Sequence, residues 1–146
     1  MPNDDQSGKK VDNLLRALRS KRIAQVNKAI EDLGNFKSPK AQNTLFEIFT
    51  NKTKKKKWDY KLRIKAIKSY SRHNKDKRFK DALKQIVMNR GENRELRREA
   101  LTQIANMGDP KYVDILASNL NDDYRFIRFW AVRGLLKINT PKSKEA

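Results

Sequence analysis

The sequence predicts an all-α chain of stacked helical hairpins, an α-solenoid, and three observations carry that prediction. A short helical pattern is written four times around an alanine: QVNKAIEDLGN (25–35), LRIKAIKSYSR (62–72), LRREALTQIAN (96–106) and IRFWAVRGLLK (127–137). The four alanines, Ala29, Ala66, Ala100 and Ala131, lie 37, 34 and 31 residues apart. A different helical pattern follows each of the first three: SPKAQNTLFEIF (38–49), DKRFKDALKQIV (76–87) and DPKYVDILASNL (109–120). A period of this size marks repeated supersecondary units that bury a continuous core by stacking, rather than one globular core.

Taken in order, residues 1–10 (MPNDDQSGKK) are polar and are expected to be a disordered tail. Residues 11–18 place Val11, Leu14, Leu15 and Leu18 on one stripe, a second-type helix with no first-type helix before it. Each full unit is then a first-type helix followed by a second-type one. Ser38-Pro39 and Asp109-Pro110 read as helix starts, a capping side chain followed by proline at the first helical position. Gly34 and Gly108 stand just past first-type helices, where a left-handed cap is expected. The second unit has His73-Asn74 there instead. On the second-type helices Leu45, Leu83 and Leu116 share one slot, and Phe49, Val87 and Leu120 another four residues on, so both predict a buried face. Residues 125–138 form a last first-type helix. About three to four hairpins with half-repeats at each end are expected over 11–139, with a polar tail at 140–146.

The pattern resembles the HEAT family, including the short variety found in phycobilisome lyases. Residues 93–138 carry the resemblance best: the turn MGDP, the helix ending SNL, the loop NDD and the arginine-bearing helix. The first unit departs from it, with Gln25-Val26 where the others have an aliphatic residue and Arg. The resemblance implies inner and outer helix layers. It also implies that the recurring Arg63, Arg97 and Arg128 are structural, each pairing with an acid at a neighbouring turn, for which Asp109, Asp122 and Asp123 are available. The family spans scaffolds, lyase subunits and DNA-repair glycosylases, so the fold does not name an activity.

Composition narrows the function. The chain has 146 residues, 37% hydrophobic, enough to bury an elongated core as a single domain. No run of about 18 apolar residues occurs, so no membrane helix is expected. No apolar stretch near the N-terminus suggests a secretory signal, and a cytoplasmic protein is the plain expectation. There is no cysteine and one histidine, which removes thiolate and His-cluster metal sites. No Gly-rich phosphate loop is present, and His73 reads as a capping or exposed residue. No cofactor, no metal and no catalysis are expected. A DNA-glycosylase-like reading could recruit Trp58-Asp59, or Trp130 with Asp122 or Asp123, and a bilin-lyase-like reading rests on the repeat alone. Neither can be matched residue by residue.

Charge is the strongest functional signal. The formal net charge is +18, and residues 51–98 hold 19 Lys and Arg against 5 Asp and Glu. One part of this is the loop NKTKKKKW, with Lys54, Lys55, Lys56 and Lys57. A lysine run stabilises nothing by itself and suits a polyanion. Another is the following helix, where Lys65, Lys68 and Arg72 all fall within about 40° of Lys61 and predict a cationic ridge. The ridge is not repeated in the other units, which favours function over fold. Arg90, Arg94 and Arg98 extend the basic surface, and Lys77, Lys80 and Lys84 share a face of the next helix. Together these predict a surface centred on residues 52–98 that binds nucleic acid, DNA or RNA, through phosphates. Trp58 and Tyr60 could stack on unpaired bases. The rival reading is a protein adaptor for an acidic partner, or a self-associating chain, docking through Phe126, Phe129 and Trp130 of the nearly all-apolar last helix. Terminal repeats normally present a polar face.

Overall fold

The computed structural model describes residues 4–51 and 58–139. Among them are eight α-helices, one short 3-10 turn and no strand. The helices are α1 (Asp4–Ala17), α2 (Ile23–Leu33), α3 (Pro39–Thr50), α4 (Tyr60–Ser71), α5 (Lys77–Met88), α6 (Arg94–Met107), α7 (Val113–Ser118) and α8 (Arg125–Ile138). The 3-10 turn, Pro110–Tyr112, leads into α7. The chain divides into two compact units, Met1–Lys75 and Asp76–Ala146.

Within each unit the second-type helix packs chiefly on the first-type helix that follows it, α3 on α4 and α5 on α6. The ends expected as half-repeats obey the same pairing, since α1 packs on α2 and α7 on α8. Grouped this way, each unit is two HEAT-like hairpins, and the first-type helices of a unit pack side by side, α2 with α4 and α6 with α8. The alanine at the centre of every first-type helix is buried, at 2% exposure for Ala29 and none for Ala66, Ala100 and Ala131. A larger side chain there would hold the helices apart.

Side-chain caps set the helix starts. Ser38 Oγ accepts from the Ala41 N–H at 3.3 Å, and Asp109 Oδ1 from Lys111 N–H at 3.0 Å, as the Ser-Pro and Asp-Pro pairs predict. Asp59, Asp76 and Asn93 do the same for α4, α5 and α6. Gly108 ends α6 with φ of 62°, the expected left-handed cap. Gly34 does not: its φ is −65°, and it is needed for space, because a Cβ there would stand 2.9 Å from Ser69 Cβ. The left-handed cap in the first unit is Asn51, φ 56°, after α3.

Two further expectations are corrected. Helix α1 begins at Asp4, so residues 4–10 are helical rather than a tail. Gln6, Lys9 and Lys10 are exposed and helix-compatible, and they continue N-terminally from the buried anchor Val11. Leu120, expected on the buried face with Phe49 and Val87, is 38% exposed. Helix α7 stops at Ser118, and Asn119 turns its side chain inward instead.

Candidate nucleic-acid interface

The cations expected to form one surface fall into two groups, those that hold the fold together and those that reach water. Arg97 belongs wholly to the first. It is 1% exposed, its Nε donates to Val87 O at 3.1 Å, and its two Nη atoms meet the Asp122 carboxylate at 2.8 and 3.4 Å. Nη2 also reaches Asn119 Oδ1 at 3.2 Å. Asp122 completes its shell with Arg90 Nη1 at 2.7 Å and the Tyr124 N–H at 3.0 Å. Burial alone would push the Asp122 carboxyl up. The Arg97 hydrogen bond, the Tyr124 N–H and the charges of Arg97 and Arg90 outweigh it and hold the group below its ordinary value. This is the Arg–acid pairing that the repeat pattern implied.

The same slot differs from copy to copy. Arg63 is buried and its Nε donates to Phe49 O at 3.0 Å, the counterpart of the Arg97–Val87 bond. Arg128 is exposed, with Nη1 donating to the Asp122 carbonyl at 2.6 Å. Of the three acids proposed for pairing, Asp122 serves; Asp109 caps the 3-10 turn, and Asp123 is exposed.

Arg90, Arg94 and Arg98, expected as phosphate contacts, are engaged within their own unit. Arg90 bridges Asp122 and Ser118 O. Arg94 lies over the Tyr124 ring at 5.6 Å and Arg98 over Phe126 at 5.3 Å. All three residues are exposed, and Arg94 and Arg98 of α6 lie against the rings at the start of α8.

The ridge on α4 also splits. Lys61 and Lys68 are exposed, whereas Lys65 is half-buried and sits 3.6 Å from Glu31 Oε2 of α2. Arg72 reaches the C-terminal end of α2, donating to Glu31 O at 3.3 Å and Asn35 Oδ1 at 3.1 Å. In the second unit Lys137 occupies the aligned slot and donates to Asn106 O of α6 at 2.6 Å. A cation on a carbonyl near the C-terminal end of the neighbouring helix therefore recurs, and Arg72 is part of the fold. Lys54, Lys55, Lys56 and Lys57 lie outside the described residues. Trp58, half-buried, donates its backbone N–H to Asn51 Oδ1 at 3.0 Å.

A second basic feature was only half visible in the sequence. Lys77, Lys80 and Lys84 of α5 share a face, and they border a cleft of ≈ 350 Å³ completed by Lys111, Tyr112, Asp81 and Asp109. Asp81 is partly taken up by Lys77 at 3.0 Å. Burial, with Asp109 and Asp81 nearby, pushes the Tyr112 hydroxyl up, so it stays neutral and able to donate. Lys111 and Tyr112 join the lysine row only through the 3-10 turn, which no periodicity signals.

The repeated hairpins, the buried alanine of each first-type helix and the Arg97–Asp122 pair fit one family, and residues 81–146 match its model, described as HEAT repeats. Residues 81–146 carry HEAT repeats. The match reaches the HEAT family and not its short phycobilisome-lyase variety. No curated protein matches the chain. HEAT repeats form modules that mediate binding. Among the described residues no cluster of His, Cys, Asp and Glu could hold a metal ion, and no helix is long and apolar enough to cross a membrane.

Proposed function

We propose that this HEAT-repeat chain is a non-catalytic module that binds nucleic acid through the phosphate backbone. The observation that carries this reading is the concentration of charge, 19 basic against 5 acidic residues over 51–98 within a net +18. Ammonium groups in water displace condensed counterions from a polyanion, which supplies affinity without base readout. The contacts belong to Lys61 and Lys68, exposed on α4, and to the row Lys77, Lys80 and Lys84 on α5, together with the run Lys54 to Lys57 of the sequence. Lys65 and Arg72 in the first unit, and Arg90, Arg94 and Arg98 in the second, are each engaged by partners of their own unit. An acidic protein could satisfy the same charges, but the narrow Lys rows without an accompanying apolar stripe favour a strand of phosphates.

The test is a fluorescence-anisotropy titration of a labelled single strand and a labelled duplex at two salt concentrations. Lys61→Glu/Lys68→Glu and Lys77→Glu/Lys84→Glu variants would be run beside the wild type. Affinity that falls steeply with salt, and at least tenfold in either variant, is expected. Binding that is indifferent to both variants would overturn the reading.

A further inference from the structure

Helix α8 repeats a receiving face that is unoccupied among the described residues. Helix α6 meets α8 through Arg98 and Ala105, with Leu101 between them on the same stripe: Arg98 lies over Phe126, and Ala105 Cβ lies 3.0 Å from where a Cβ on Gly134 would stand. Leu101 is fully buried. The aligned positions of α8 are Phe129, Val132 and Leu136, spaced i, i+3 and i+7 and therefore on one stripe. They are 52%, 44% and 65% exposed. The sequence placed the docking surface on Phe126 and Trp130 as well. The structure instead half-buries both, Phe126 stacked on Tyr124 at 6.0 Å and Trp130 edge-on to Phe129 at 5.6 Å.

Two properties say what fits this stripe. Helix α8 carries Arg125, Arg128, Arg133 and Lys137 and no acid. Arg133 lies over the Phe129 ring at 5.6 Å and the Trp130 ring at 5.7 Å, so a guanidinium rims the apolar stripe. A second copy of α8 would set these cations against their own kind. Leu136 also stands where α2 has Gly34 and α6 has Ala105, the small residue that lets two first-type helices approach closely. Another first-type helix therefore cannot dock here as α8 docks on α6.

We infer that the stripe Phe129–Val132–Leu136 binds an amphipathic helix of an acidic partner protein, with apolar residues seated on the stripe and carboxylates facing Arg125, Arg128 and Arg133. This surface is separate from the lysine rows, and the inference does not rest on nucleic-acid binding.

The probe is a labelled synthetic helical peptide with leucines at i, i+3 and i+7 and glutamates on its remaining faces, titrated against the full chain. A matched peptide carrying lysine for glutamate is the first control. The second is Val132→Ser/Leu136→Ser, which removes apolar surface at constant charge and touches exposed positions only; its melting temperature checks the fold. Saturable binding of the acidic peptide is expected, weakened at least tenfold in the serine variant and in the lysine peptide, and unchanged in Lys77→Glu/Lys84→Glu. Binding that survives the serine variant, or is lost equally in the α5 variant, would show charge attraction alone and overturn the inference. Dimeric wild type with monomeric serine variant by sedimentation would name a second copy as the occupant and overturn it too.

Discussion

The first-type helices cross once in each unit, α2 against α4 and α6 against α8, and the two crossings are the same contact built with the glycine on opposite sides. In the first unit Gly34 of α2 faces Ser69 of α4; in the second, Ala105 of α6 faces Gly134 of α8. Aligned on the central alanine, Gly34 corresponds to Ala105 and Ser69 to Gly134. The fold therefore asks for one missing Cβ per crossing, not for glycine at a fixed position. Each crossing is closed at its end by a cation from the later helix, Arg72 or Lys137, on carbonyls of the earlier one. The second unit's polar centre is the Arg97 guanidinium on the Asp122 carboxylate, whereas in the first Arg63 Nε donates to Phe49 O.

That difference gives the largest expected effect. Arg97→Ala leaves Asp122 buried without its bidentate partner, and losing one member of such a pair costs about 3–5 kcal/mol. Denaturant unfolding should show it directly. Asp122→Asn tests the same centre through pH. The Asp122 carboxyl titrates lower in the folded chain than its ordinary 3.8. Its contribution is present in full above that value and is lost as pH falls through the lower folded one. Stability of the wild type should therefore drop on acidification in that window, and Asp122→Asn should flatten that part of the curve.

The crossings come next. Gly34→Ala brings a Cβ to 2.9 Å from Ser69 Cβ, an atom fixed to its own backbone, and overpacking of this kind costs about 1–3 kcal/mol. Gly134→Ala meets Leu116 at 2.8 Å and Ala105 at 3.0 Å and should cost a similar amount despite the better helix propensity of alanine. The sharper experiment is the exchange Gly34→Ala/Ser69→Gly, which rebuilds the first crossing in the pattern of the second. It should recover most of the loss. It also removes the Ser69 hydroxyl, which is buried without a hydrogen-bond partner among the described residues. If the double variant melts no higher than Gly34→Ala, the equivalence of the two crossings fails.

Smaller still is the cation at each crossing. Arg72→Gln and Lys137→Gln remove a charge from the C-terminal end of a neighbouring helix, an effect of about 0.3–1 kcal/mol that salt should screen. Equal, salt-sensitive losses in thermal melts would support a shared role.

Much of the architecture was legible because it is periodic. The alanine slot, the Leu45–Leu83–Leu116 slot and the Ser-Pro and Asp-Pro starts all state local rules that the repeats obey. What was missed depends on pairs. Gly34 reads as a turn residue until Ser69 is seen opposite it. Arg72 reads as one tooth of a ridge until Lys137 is seen doing the same work one unit later. Arg90, Arg94 and Arg98 read as a basic patch, but their partners Asp122, Tyr124 and Phe126 lie some thirty residues on, and only folding brings them together. A cation's place in the sequence gives its charge; its partner decides whether that charge is available.

The smallest expected change in stability tests that distinction. Lys61 and Lys68 are exposed on α4, so Lys61→Glu/Lys68→Glu should shift unfolding by no more than about 0.5 kcal/mol, as surface substitutions do. Lys65→Glu should cost slightly more, because it turns the 3.6 Å approach to Glu31 into a repulsion, although a partly exposed pair of this kind contributes at most about 1 kcal/mol. Arg94→Glu/Arg98→Glu makes the same reversal of charge in the second unit but also removes two guanidinium–ring contacts that seat the start of α8. It should therefore melt measurably lower than the α4 variant while changing net charge equally. Equal melting temperatures for the two double variants would mean that the ring contacts contribute little, and Arg94 and Arg98 would return to the binding surface beside the lysines.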